Sequence, residues 1–235
     1  MPPRPRECRA EVTAIRSLNP DVIEVDLRMV EPPALAFAAG QWVSVPFGPK
    51  IVRAYSMASP PGAGDRLTLS VDVAPGGLGS QWIRGLKPGE RVQFKGPTGG
   101  FVMDRADTRR PVFVAEEIGV VPIRSILLDL YATGFDRPAA LIQWARNPDW
   151  LLYEADFRDL SRRHAGFSYL PVLREPPATW RGEKGECHEA VDRLVHSVDR
   201  TVVYICGGEG TIKQVRQALV AKGMDRKSVK WEKFW

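Results

Sequence analysis

The first hundred residues read as short apolar runs broken at regular intervals by proline and glycine. Strands are predicted over 12–18, 22–30, 41–46, 53–58, 67–73 and 91–95. They are punctuated by Asn19-Pro20, Pro32-Pro33, Gly48-Pro49, Pro60-Pro61-Gly62 and Lys87-Pro88-Gly89. Such spacing argues for an antiparallel barrel or sandwich. One helix interrupts the series, over 80–84. After Gly96-Pro97-Thr98-Gly99-Gly100 the texture changes. Strands over 111–116, 139–145, 167–173, 201–206 and 228–235 alternate with helices over 122–133, 152–164, 188–196 and 210–222. That alternation predicts right-handed βαβ units and a parallel sheet covered on both faces.

The 235 residues exceed the common single-domain size, and two domains of about 100–130 residues are the natural division. The expected fold is a two-domain β plus α/β chain. Residues 1–104 form the antiparallel β-domain, and residues 105–235 the nucleotide-type parallel-sheet domain. No repeat or low-complexity segment is visible.

Composition adds mostly exclusions. Hydrophobic residues make up 44% of the chain and charged ones 26%, as in soluble globular proteins. No apolar run approaches the roughly 20 residues that span a bilayer. Met1 to Arg6 is positive but lacks a following apolar stretch, so it reads as a short disordered leader and the chain as cytoplasmic. Cys8, Cys187 and Cys206 are too few and too scattered for a disulfide framework, a zinc site or a four-thiolate iron–sulfur cluster. His164, His188 and His196 show no metal-ligand grouping, and no metal is expected. The net charge of +5 suits an acidic protein partner or an anionic cofactor. No interleaved basic and aromatic stripe argues for nucleic acid.

The chemistry concentrates in two runs. Arg53-Ala54-Tyr55-Ser56 presents a guanidinium, a phenol and a hydroxyl on one strand, suited to a large, flat, polar-edged ligand. About twenty residues on, Gly77-Leu78-Gly79-Ser80 opens a helix and can hold phosphates on free backbone N–H groups. Gly77 and Gly79 allow close approach, and Ser80 is the expected N-cap.

This pair resembles the flavin-binding signature of the ferredoxin–NADP reductase-like family. Further markers, in the family's order, are Gly96-Pro97, Pro122-Ile123-Arg124-Ser125, Trp180-Arg181-Gly182, Tyr204-Ile205-Cys206-Gly207-Gly208 and Glu232-Lys233-Phe234-Trp235. The resemblance covers roughly residues 8 to 235. It implies a noncovalent flavin, FAD ahead of FMN, held in a β-barrel. Arg53 would meet the diphosphate, Tyr55 stack on the isoalloxazine, and Ser56 reach its N5 edge. Val71 and Val73 would offer backbone groups, and Gly77, Leu78, Gly79 and Ser80 the pyrophosphate turn.

For NAD(P)H the resemblance implies contacts from Gly119, Arg146, Arg174, Cys206 and Gly207. Cys206 either lies beside the nicotinamide or simply fills a strand end. Trp235 either covers the flavin face or closes the last strand. Ser56, Cys206 and Trp235 are the residues placed nearest the chemistry. One stretch departs from the family: where Gly-Gly-Thr-Gly-Ile-Ala-Pro is typical, this chain reads Glu116-Glu117-Ile118-Gly119-Val120-Val121-Pro122. Two carboxylates at a helix start either take the place of a pyrophosphate or swing outward.

The implied activity is electron transfer between NAD(P)H, FAD and a separate redox protein, an acidic ferredoxin or its like. The alternative is a flavin relay or complex subunit that no longer uses NAD(P)H because Glu116 and Glu117 occupy the pyrophosphate site.

Overall fold

The computed structural model describes Arg4 to Phe234; Met1 to Pro3 and Trp235 lie outside the described residues. The chain folds as two units. One comprises the residues up to Met103 together with Arg124–Thr133, and the other Asp104–Ile123 with the residues from Gly134 onward.

The first unit holds six strands: β1 (Arg6–Asn19), β2 (Val22–Glu31), β3 (Trp42–Pro46), β4 (Val52–Ser56), β5 (Arg66–Asp72) and β6 (Arg91–Thr98). They form one antiparallel sheet in the order β4-β3-β6-β1-β2-β5. Its two outer strands meet through a Met57–Leu69 bridge and the bond from Ala58 N–H to the Thr68 carbonyl, 2.8 Å, which curls the sheet into a barrel. Val12, Val25, Leu27, Leu67, Leu69, Val92 and Phe94 fill the interior. β1 is much longer than its apolar run predicts, because its polar start pairs with β6 through Arg6–Gly96. Arg6 is therefore strand rather than leader. Helix α1 (Leu78–Gly85) follows β5.

The second unit is a parallel sheet ordered β10-β9-β8-β7-β11-β12. Its strands are β7 (Arg110–Glu116), β8 (Ala139–Ala145), β9 (Phe167–Leu173), β10 (Glu183–Lys184), β11 (Thr201–Gly207) and β12 (Val229–Lys233). Every residue of β8 and β11 is buried, as two-sided cover demands. The connecting helices are α2 (Val120–Ala132), α3 (Glu154–Arg163), α4 (Cys187–Leu194) and α5 (Glu209–Ala221). The order reverses between β7 and β11, which makes their carboxyl ends the switch point where ligands of such sheets bind. β10 goes beyond the strands expected from sequence: two residues carry no periodicity. No helix among the described residues is long and apolar enough to cross a membrane, which says nothing of β-barrel membrane proteins.

Candidate functional site

The Arg53-Ala54-Tyr55-Ser56 run lies on β4, at the edge of the sheet. The residues just after it are pinned. Ser125 Oγ donates to the Ser59 carbonyl at 2.7 Å, and Arg124 donates to the Ala58 carbonyl at 2.8 Å. Arg53 is exposed and donates to the Val52 carbonyl. The Tyr55 ring stacks on Trp82 of α1, with centroids 5.8 Å apart. Trp82 is a positioning residue that the motif does not contain; its place on the amphipathic α1 is the only signal for it. The Tyr55 hydroxyl is buried and has no hydrogen-bond partner among the described residues. Burial pushes its pKa up to about 12 despite the Arg53 charge, so it stays a neutral donor.

Helix α1 begins two residues earlier than predicted. Gly77 is its N-cap, and Ser80 sits inside the first turn. The first helical bond runs from Gln81 N–H to the Gly77 carbonyl, 2.9 Å, so the N–H groups of Leu78, Gly79 and Ser80 find no acceptor within the helix. Gly79 is buried against β4: a Cβ there would fall on the Tyr55 hydroxyl and lie 3.6 Å from Arg53 Cγ. Val71 and Val73 are buried in the barrel core. An orphaned phenol and three amides without a helical acceptor meet at one corner, with the stem of Arg53 beside them, and this donor set fits the diphosphate and polar ring edge of FAD.

At the switch point of the second unit, Gly119 packs so closely on the Cys206 carbonyl that no Cβ fits. Cys206 is fully buried, and burial raises its thiol pKa well above the ordinary value, so it is a neutral thiol. A Cβ on Gly207 would stand 2.6 Å from Glu116 Cβ. Arg174 pairs with Glu186 at 3.1 Å. Trp235, expected near the flavin, lies outside the described residues.

Of the two alternatives for the carboxylates, the structure takes the outward one: neither gathers on the start of α2. The Glu116 carboxylate accepts from Gly208 N–H at 2.6 Å and from the Thr211 hydroxyl at 2.9 Å, capping α5 from outside that helix. Glu117 is buried and has φ +48°, a left-handed conformation that costs a non-glycine residue about 1–2 kcal/mol. That turn sends its carboxylate to Arg146. Oε1 accepts from Arg146 N–H at 3.3 Å and Nε at 3.2 Å, and Oε2 from the terminal guanidinium nitrogen at 3.1 Å. Arg146 directly follows β8 and is held over the Trp150 ring.

Comparison with known proteins agrees with this arrangement. Residues 9–103 match the model of the oxidoreductase FAD-binding domain, and residues 113–217 that of the oxidoreductase NAD-binding domain. The ferredoxin–NADP reductase B of Sorangium cellulosum (strain So ce56) is 30% identical over 96% of both chains. The reductase component DmpP of phenol 2-monooxygenase from Pseudomonas sp. (strain CF600) is 30% identical; 97% of this chain covers 65% of that protein. Among solved structures, the Amycolatopsis cytochrome P450 reductase GcoB superposes with a TM-score of 0.90 at 28% identity, across all of this chain and 71% of GcoB. The chain belongs to the ferredoxin–NADP reductase-like family of flavoproteins. It is an FAD-dependent oxidoreductase, with a barrel-like FAD-binding domain followed by an NAD-binding one.

Proposed function

We propose that this chain moves electrons between NAD(P)H, FAD and a separate redox protein. The convergence of the unpartnered Tyr55 hydroxyl with the free amides of α1 carries the reading. Bound FAD supplies the exchange between hydride and single-electron chemistry; the protein's part is position and electrostatics. Arg53 pairs with the diphosphate, and the amides of Leu78, Gly79 and Ser80 share it, with Gly77 leaving the approach open. Trp82 stacks on the Tyr55 ring and fixes the orientation in which that ring would meet the isoalloxazine. The Ser56 hydroxyl would serve the flavin's N5 edge, and the backbone of Val71 and Val73 would lie beside the ring. Gly119, Cys206 and Gly207 would receive the nicotinamide nucleotide, with Arg146 and Arg174 at its periphery. These assignments place the FAD-binding domain at 1–104 and the NAD(P)-binding domain at 105–235, a division supported by the spans of the two family models.

The partner is a ferredoxin-like or oxygenase component. Relatives named as reductases of both kinds support this, and the net charge of +5 favours an acidic one. We place the protein in the cytoplasm, where three free, buried thiols are at home. Anaerobic stopped-flow with NADH and NADPH tests the reading: rapid bleaching of the bound flavin by at least one of them is expected. Flavin that dithionite bleaches and neither nucleotide does would make the chain a relay between proteins instead.

A further inference from the structure

The Glu117–Arg146 pair has no counterpart in a glycine-rich turn, and it stands at a chemically informative place. Arg146 emerges from the carboxyl end of β8, the strand beside β7, at the switch-point side of the sheet. In sheets of this kind the substituent on the ribose 2′ position is read there. A carboxylate accepts from the free 2′-hydroxyl, whereas an arginine holds a 2′-phosphate. This chain carries both groups, already joined. Glu117 grips the Nε edge of the guanidinium with both oxygens, from a backbone conformation that favours glycine. Its side chain is 11% accessible against 51% for Arg146, so the carboxylate is the embedded partner and the guanidinium the exposed one.

We infer that Glu117 is a specificity-determining residue that directs this chain to NADH rather than NADPH. The inference rests on the nicotinamide reading above. A 2′-phosphate arriving at Arg146 meets a guanidinium whose strongest donor edge is taken and whose charge is balanced. To bind, it must displace an embedded carboxylate or lie beside it as a second anion, and both are unfavourable. A 2′-hydroxyl has no such conflict, because it is neutral, brings no second anion and leaves the embedded pair undisturbed. A left-handed glutamate persists where the surroundings over-determine it, and such positions cluster at functional sites.

The test is direct binding to the FAD-loaded protein. Dissociation constants for NAD⁺ and NADP⁺ are measured by isothermal titration calorimetry for wild type, Glu117→Gln and Glu117→Gly. Wild type should bind NAD⁺ more tightly than NADP⁺. Both variants should tighten NADP⁺ by about tenfold, the size of one charged hydrogen bond regained, with a smaller change for NAD⁺. Adding Arg146→Ala to Glu117→Gly should erase the gain for NADP⁺. Glutamine keeps the shape and removes the charge, while glycine relieves the left-handed backbone, so the pair of variants separates charge from folding. Equal or tighter wild-type binding of NADP⁺, or variants that keep the wild-type ratio, would overturn the inference while leaving the broader function intact. A wild-type protein that binds neither nucleotide, with flavin that dithionite still reduces, would overturn both.

Discussion

At the scale of single residues, the FAD corner combines one exposed charge with one buried, unsatisfied phenol. Replacing Arg53 by alanine should weaken FAD binding by about 1.5–3 kcal/mol, the range of a hydrogen bond to a charged group. Fluorescence titration of the FAD-free protein measures this, and unchanged affinity would place Arg53 on the surface with no ligand role. Tyr55→Phe should act in opposite directions on two measurements. Without FAD, losing a buried hydroxyl that has no partner should raise Tm; with FAD, affinity should fall. Gly79→Ala should push the Tyr55 ring off Trp82 and strip FAD during purification. The motif that names Arg53, Tyr55 and Gly79 was legible because it is short and local. Trp82 was not, since only folding brings its ring onto Tyr55.

At the scale of elements, strands and helices were legible wherever periodicity and turn residues coincided. The parallel strands β7, β8, β9 and β11 lie within a residue or so of their predicted runs. Their ends and caps were less so. Ser80 looks like an N-cap by residue type, yet Gly77 holds that place and Ser80 lies in the first turn. The cap of α5 is further from the reach of sequence, because Glu116 supplies it from 95 residues before Thr211. Glu116→Ala should therefore destabilise the protein by about 1–2 kcal/mol, as loss of a helix cap does, and Glu116→Gln by less. Denaturant unfolding would check this. A null effect of the alanine variant would mean that water replaces the carboxylate without cost.

At the scale of the molecule, stability should depend on pH through one embedded carboxyl. Glu232 on β12 lies opposite Cys206, its Oε1 has no partner among the described residues, and burial raises its pKa from 4.5 to about 7. The folded protein thus holds this proton more tightly than the unfolded chain. The resulting stability is complete below about pH 4.5 and is lost as pH rises through about 7. Asp107 behaves in the reverse sense. Its hydrogen bonds with Arg109 hold its pKa at about 2, so its contribution is present above about 3.8 and lost only as pH falls through 2. The two windows do not overlap near neutrality. Between about pH 5 and about pH 8, wild type should lose Tm as pH rises, and Glu232→Gln should flatten that slope. Parallel slopes for the two proteins would remove Glu232 from the account.

The two kinds of sheet, the order of elements and the flavin motif can all be read from the amino-acid order alone, because each follows from interactions between near neighbours. Alternation, turn residues and the opening of a helix are set within a few residues of one another. Where Glu116 and Glu117 point is settled by the fold, since the chain around them allows their carboxylates either to sit on the start of α2 or to swing outward. The parallel sheet instead brings together the ends of β7, β8 and β11, so Glu116 reaches α5 and Glu117 reaches Arg146, 29 residues away. A carboxylate goes to the strongest donors within reach, and in a parallel sheet those stand on neighbouring strands, far away along the chain.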